Sequence, residues 1–266
     1  MFGETYRSAV LIMTVFSPFP PVLAFVAAMT VFGTPARADD ALAAVAANFA
    51  GAAKDIAAAF EATSEHSVTI TTGSTGKLYA QIAQAAPFDL FLSADAKTAE
   101  RIEKEGLGEA GSRFTYAIGM LVLWSSDANR IGADPKAALL DSGTLKIAIA
   151  NPDLAPYGAA AREAMQAMGV WDAVQGKIVM GENVGQAYSM VDTGAAQAGF
   201  VAASALASNA GKGSHYDVPQ DLFTPIRQDA VLLNPGKTNE AARAFMAFLK
   251  SEEAKAIARK FGYDAP

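Results

Sequence analysis

From about residue 39 onward, apolar positions in this 266-residue chain recur at two alternating periods. Short runs at 68–71, 88–92, 146–150, 178–180 and 198–201 are rich in β-branched and large apolar residues and read as strands. Each is followed by an Ala-rich stretch with apolar residues at helical spacing: 52–62 after a first strand that ends near Ala46, then 76–86, 95–105, 159–168, 185–193 and 203–209. Near the C-terminus Ala241, Phe245, Phe248 and Leu249 fall at i, i+4, i+7 and i+8, one buried stripe of a last helix, for which Thr238 is the expected N-cap with Glu240 in the first turn. Strands alternating with helices predict an α/β fold with crossover helices. The runs 114–124 and 226–233 break the alternation, being long and extended with no long helix attached. Strands crossing between two lobes have this appearance. The expected division is therefore lobe one at 39–117 plus 234–266, crossings at 118–121 and 227–233, and lobe two at 122–226, with no Gly/Ser or Pro-rich linker between them and no internal repeat.

Residues 1–38 follow a different pattern. Arg7 precedes two apolar runs split by Ser17-Pro18-Phe19-Pro20-Pro21, and Ala36-Arg37-Ala38 follows them. The second run, 22–32, falls short of the roughly 20 residues that a spanning helix needs. A positive start, an apolar stretch and an A-x-A site predict a cleavable secretory signal, with Asp39 first in the mature protein. The leader is long, and Met13 is an alternative start to Met1. Its removal takes Arg7, Arg37 and Glu4 and moves the formal net charge from −6 to −7. The expected product is an acidic periplasmic monomer with no membrane insertion after processing. A net negative chain lacks the basic footprint of a nucleic-acid binder. The absence of Cys excludes disulfides, thiolate nucleophiles, Cys-based metal sites and a lipid-anchored Cys.

The segment Thr72-Gly73-Ser74-Thr75-Gly76-Lys77-Leu78 joins a strand to a helix. Such a turn exposes unpaired backbone N–H groups at the positive end of a helix dipole, beside the Ser74 and Thr75 hydroxyls. A nucleotide-binding P-loop would need Gly at 71 and Ser or Thr at 78, where the chain has Thr71 and Leu78. Three more turns of this kind occur, Ala46-Ala47-Asn48-Phe49, Pro152-Asp153-Leu154-Ala155-Pro156-Tyr157-Gly158 and Glu182-Asn183-Val184-Gly185-Gln186. Two turns per lobe at the carboxyl ends of strands make a cleft for a small anion. Its expected donors are the Asn48 amide, the Ser74 and Thr75 hydroxyls, the Tyr157 phenol, and the backbone N–H groups of Thr75, Tyr157 and Val184. A site made of donors suits a fully deprotonated dianion, whereas a protonated phosphate would strand its own hydrogen. Asp153 and Glu182 are expected to face solvent or cap helices. His66 and His215 are 149 positions apart and expected at the surface, leaving no Ser/His/Asp set and no metal site, and no local arrangement of carboxylates marks a glycosidase. Phe114, Tyr116, Trp124 and Trp171 read as core or hinge packing.

Taken in order, Gly73-Ser74-Thr75-Gly76-Lys77-Leu78-Tyr79-Ala80-Gln81-Ile82, Ala86-Pro87-Phe88-Asp89-Leu90-Phe91-Leu92-Ser93-Ala94-Asp95, Gly111-Ser112-Arg113-Phe114-Thr115-Tyr116, Ala155-Pro156-Tyr157-Gly158, Asn183-Val184-Gly185-Gln186 and Gly199-Phe200-Val201-Ala202 resemble the periplasmic molybdate-binding proteins of ABC importers over nearly the whole mature chain. The resemblance implies a two-lobed type II binding protein, each lobe a mixed sheet flanked by helices, that takes molybdate or tungstate without a counter-charge and without a cofactor and delivers it to a membrane permease. It implies no enzymatic activity. Asn48 stands where the family has a Ser or Asn ligand and Thr75 where it has Ser; Tyr157 and Val184 match positions binding through backbone N–H. Ala202 replaces a Tyr found in some members, and Ala47, a secondary site candidate, replaces a Thr. Rival readings are the same fold holding sulfate or thiosulfate and a secreted carboxylate hydrolase.

Overall fold

In the computed structural model the chain is described over residues 39–207 and 212–266, and the expected leader lies outside the described residues. Strand β1 (Asp40–Ala46) leads through a 3-10 turn, Ala47–Phe49, into α1 (Ala50–Glu61); β2 (Ser67–Gly73), α2 (Thr75–Ala83), β3 (Leu90–Leu92), α3 (Ala96–Lys104) and β4 (Phe114–Gly119) follow. Then come β5 (Leu121–Ser125), α4 (Pro135–Leu140), β6 (Ile147–Ala150), α5 (Pro156–Ala167), α6 (Trp171–Val174), β7 (Ile178–Gly181), α7 (Val184–Asp192), β8 (Ala198–Ala202), α8 (Ala203–Ala207) and β9 (Ser214–Asp217). The chain closes with β10 (Ile226–Leu232), α9 (Glu240–Phe248) and α10 (Glu252–Lys260).

Two five-stranded mixed sheets result, β2-β1-β3-β10-β4 and β7-β6-β8-β5-β9, and the described residues form one compact unit. In the first sheet β1 runs parallel to β2 and β3, and β10 antiparallel to β3 and β4. Its central strands bury both faces, and the period of two sorts them cleanly. Ala43, Val45, Leu90, Leu92, Ala230 and Leu232 pack with α1, α9 and α10, while Ala44, Phe91 and Val231 pack with Leu78, Ile82, Ala99 and Ile102 of α2 and α3. Covering helices on both faces are what hold β1 as a strand, since its Ala residues have little strand preference of their own. The second sheet is wrapped in the same way, and the buried Trp124 of β5 stacks on Tyr188 with ring centroids 4.8 Å apart.

The chain crosses from the first sheet to the second at Met120, between β4 and β5, and returns between β9 and β10. The run 114–124 is thus two strands in different sheets, divided by one residue. The C-terminus is pinned beside this crossing, where Ile118 N–H donates to the Asp264 carbonyl (2.7 Å). Thr238 is not the cap of the last stripe. It ends a 3-10 turn, and Asn239 takes the N-cap position, its side chain accepting from Ala242 N–H (3.2 Å). The short Asx side chain one residue later competes better for the amide. The helix expected at 203–209 is described as Ala203–Ala207. Among the described residues no helix is long and apolar enough to cross a membrane.

Candidate functional site

Four strand-to-helix turns meet where the two sheets face each other, around a small concavity lined by Ala47, Asn48, Gly73, Ser74, Thr75, Ala94, Ala155, Tyr157, Asn183 and Val184, among others. Asn48, Ser74, Thr75, Tyr157 and Val184 are all buried there. Thr75 and Val184 open α2 and α7, and Tyr157 is the second residue of α5 behind Pro156, so their N–H groups lack an acceptor within their own helices. None of α1, α2, α5 and α7 has an acidic residue in its first turn, in contrast to α10, which has Glu252 and Glu253. The four dipole ends are therefore left uncompensated by their own sequences.

Ser74 is the N-cap of α2 by backbone geometry (φ −69°, ψ 148°), yet its side chain caps nothing. Its Oγ is buried without a hydrogen-bond partner. A Ser at this position ordinarily accepts from the second or third amide of its helix, so a buried, idle hydroxyl is an energetic debt that a ligand in the pocket can settle. Thr75 Oγ1 accepts from Ala94 N–H (3.2 Å), which leaves its proton to donate. Asn183 does cap its helix, accepting from Gln186 N–H (3.0 Å).

Two of the expected donors face elsewhere. The Asn48 side-chain amide donates to Gln228 Oε1 (2.7 Å) and the Tyr263 hydroxyl (3.1 Å), so both its protons are committed behind the pocket. Its backbone carbonyl accepts from Tyr263 (2.6 Å) and Ser204 (2.9 Å), which fixes the turn and with it the Asn48 backbone N–H. The Tyr157 hydroxyl runs into the crossing, to the space that the missing side chain of Gly119 leaves open. Burial raises the phenol pKa values of Tyr116, Tyr157 and Tyr263, and the three remain neutral. Gln228, Tyr263, Ser204 and Gly119 escape a reading of sequence because their partners lie up to 215 positions away. The uncapped Ser74 is the signal that local sequence does carry.

No charged side chain lines the small pocket. Asp153 and Glu182 are exposed, and Glu182 pairs with Lys77 across the two lobes (2.7 Å). Gly76 N–H donates to the Leu154 carbonyl (2.9 Å), a second bond across the cleft, so the lobes are in contact as a closed form. A much larger groove, about 620 Å³, opens on the α3 side of Thr75, but Asp95, Lys97, Arg101, Asp153 and Glu163 give it both signs of charge. It favours neither an anion nor a cation. His66 accepts from Asp39 N–H (3.2 Å) and is partly buried just ahead of β2, whereas His215 is exposed on β9, so the two lie at different sheets.

Comparison with known proteins adds a family and several relatives. The family model described as bacterial extracellular solute-binding protein matches residues 41–264. The molybdate-binding protein ModA of Rhodobacter capsulatus is 49% identical over 229 residues, covering 86% of this chain and 90% of that protein. ModA of Azotobacter vinelandii is 46% identical over 86% of this chain and 91% of its own length. The solved structure of the Azotobacter vinelandii periplasmic molybdate-binding protein superposes with a TM-score of 0.80 at 39% identity, covering 85% of this chain and 99% of that one.

Proposed function

The chain belongs to the bacterial extracellular solute-binding proteins, and from that premise we propose that it captures molybdate in the small pocket and delivers it to the membrane permease of an ABC importer. The observation that carries this reading is the idle Ser74 hydroxyl, buried among helix N-termini that have no acidic residue in their first turns, in a pocket that has no charged side chain. Fixed dipoles and hydroxyls can hold a dianion without a counter-ion, because the N–H groups are already oriented and need no reorganisation when it arrives. In this account the contacts are the backbone N–H groups of Asn48, Thr75, Tyr157 and Val184 and the hydroxyls of Ser74 and Thr75, with Ala47 shaping the wall. Asn48 and Tyr157 contribute through the main chain, their side chains being engaged in the crossing.

Binding joins the lobes, since Ser74 and Thr75 stand on one and Tyr157 and Val184 on the other. The Lys77–Glu182 pair and the Gly76–Leu154 bond hold the closed form, and that form is what the permease meets. Tungstate, of nearly the same size and charge, is bound as well. Sulfate, with shorter bonds to its central atom, cannot reach donors on both lobes at once. The protein acts as an exported periplasmic monomer with 1–38 removed, and no catalytic step is assigned to it. Isothermal titration of ligand-stripped protein tests the proposal. One site per chain for molybdate and tungstate, with sulfate and phosphate at least about a hundredfold weaker, is expected; equal affinity for sulfate would overturn the ligand assignment.

A further inference from the structure

Behind the pocket, where β10 passes beside β4, the pairing register shifts between Gln228 and Asp229. The extra residue is Tyr116 of β4, which the bulge leaves out of the pairing and whose hydroxyl reaches Gln228, itself fully buried on β10. Its Oε1 accepts from Asn48 Nδ2 (2.7 Å) and from the Tyr116 hydroxyl (3.1 Å), so both lone pairs serve groups of the first lobe. Its Nε2 makes no hydrogen bond of normal geometry, and neither does the Tyr157 hydroxyl, which arrives from α5 of the second lobe within reach of Gln228 and of the Tyr263 hydroxyl. The two idle groups adjoin the same spot: a Cβ on Gly119 would collide with the Tyr157 oxygen and lie 2.8 Å from Gln228 Nε2. A donor and an acceptor, both buried and neither in a well-formed hydrogen bond, thus flank the crossing, one joined to the Asn48 turn and the other to the helix that presents the Tyr157 amide.

We propose that Gln228 is a positioning residue that couples the two halves of the anion site, its oxygen holding the Asn48 turn and its amide nitrogen taking up the Tyr157 hydroxyl as α5 seats on the bound anion. The inference rests on the small pocket being the anion site. It assigns Tyr157 two tasks on opposite sides of α5: the backbone N–H faces the ligand and the phenol reports its arrival to the crossing. Side-chain packing alone would not need a carboxamide with its oxygen doubly used and its nitrogen left open.

Three variants test it, read by titration with molybdate between pH 5.5 and 8.5. Gln228→Glu keeps an acceptor for Asn48 and Tyr116 and changes only the nitrogen, placing a carboxyl behind the pocket. The groups around it are the neutral phenols of Tyr116, Tyr157 and Tyr263, with Asp95 near Tyr116 and Asp229 already bound to Arg113 and Thr115. The carboxyl therefore ionises within the tested range, and Gln228→Glu is expected to bind within a few-fold of wild type at pH 5.5 and on the order of tenfold more weakly at pH 8.5, with wild type flat. Tyr157→Phe removes only the idle hydroxyl and is expected to weaken binding roughly five- to tenfold while the unfolding temperature of the ligand-free protein stays the same or rises. In a Gln228→Leu background the same change is expected to cost nothing more. Tyr157→Phe with wild-type affinity together with a pH-independent Gln228→Glu would overturn the coupling, and those two variants decide the matter even if Gln228→Leu does not fold. Wild-type protein that binds no molybdate would instead overturn the anion reading, and the inference with it.

Discussion

Ser74→Ala separates a binding residue from a structural one by the sign of its effects. In the closed form the Ser74 hydroxyl is 2% exposed at the residue level and makes no hydrogen bond within the protein, so the fold itself gains nothing from it. Removing it therefore leaves the ligand-free stability unchanged or raises it by about 1 kcal/mol. With an oxyanion in place the same hydroxyl donates to a charged acceptor, and its loss costs about 1.5–3 kcal/mol, roughly a 10- to 150-fold rise in Kd. Thr75→Val is the comparison. Its Oγ1 accepts from Ala94 N–H, so that variant strands a buried amide and loses about 1–3 kcal/mol of stability in addition to affinity, and Thr75→Ser restores both. Urea unfolding of the stripped proteins and titration with molybdate give the two numbers for each variant. A Ser74→Ala protein that is less stable than wild type and binds molybdate equally well would refute the reasoning, because the hydroxyl would then be serving the fold.

Other consequences follow from the same geometry. A Cβ on Gly158 would collide with the Ala150 carbonyl oxygen, so Gly158→Ala must push the start of α5 off β6; a lower Tm and at least a tenfold loss of molybdate affinity are expected, measured by calorimetry and titration. The Lys77–Glu182 bridge is exposed on both sides, so Lys77→Ala should change Kd by less than about fivefold, and the difference should vanish in 0.5 M salt. Burial holds the phenols of Tyr116, Tyr157 and Tyr263 above their ordinary value near 10, so the unfolded chain releases protons that the folded one keeps. Their contribution is complete below about pH 10 and is lost above it, at up to about 1.4 kcal/mol per pH unit for each phenol. Urea midpoints between pH 9 and 11.5 would show this fall, and Tyr263→Phe would lessen it.

What sequence makes legible here follows from how local each signal is. The strand-to-helix turns announce themselves by Gly, Ser and Asn beside apolar runs, and these few neighbouring residues are enough to place Ser74, Thr75 and Val184 at helix starts. The direction of a side chain across the crossing is another matter. Asn48 and Tyr157 have the right chemistry for an anion, but whether the amide turns to the pocket or to Gln228, 180 positions on, depends on the pairing of β10 with a bulged β4 and on a missing Cβ at Gly119. The C-terminal helix α10 was readable in principle, since Ser251 caps it, Glu252 and Glu253 open it and Arg259 and Lys260 close it. Its buried stripe consists mainly of Ala254 and Ala258, too weakly apolar for periodicity to register. The division of 114–124 between two sheets rests on tertiary pairing at Met120 and has no local mark.

The central claim is that one tetrahedral anion sits among the helix N-termini at Ser74, Thr75, Tyr157 and Val184. A crystal structure of the molybdate-soaked protein, with anomalous data at the molybdenum edge, addresses it directly. The account predicts a single strong peak in the small pocket, with oxygens at about 2.7–3.2 Å from the Ser74 hydroxyl and from the Thr75, Tyr157 and Val184 amide nitrogens. A peak in the mixed-charge groove beside Lys97 and Arg101, or density in the small pocket in contact with only one lobe, would contradict it.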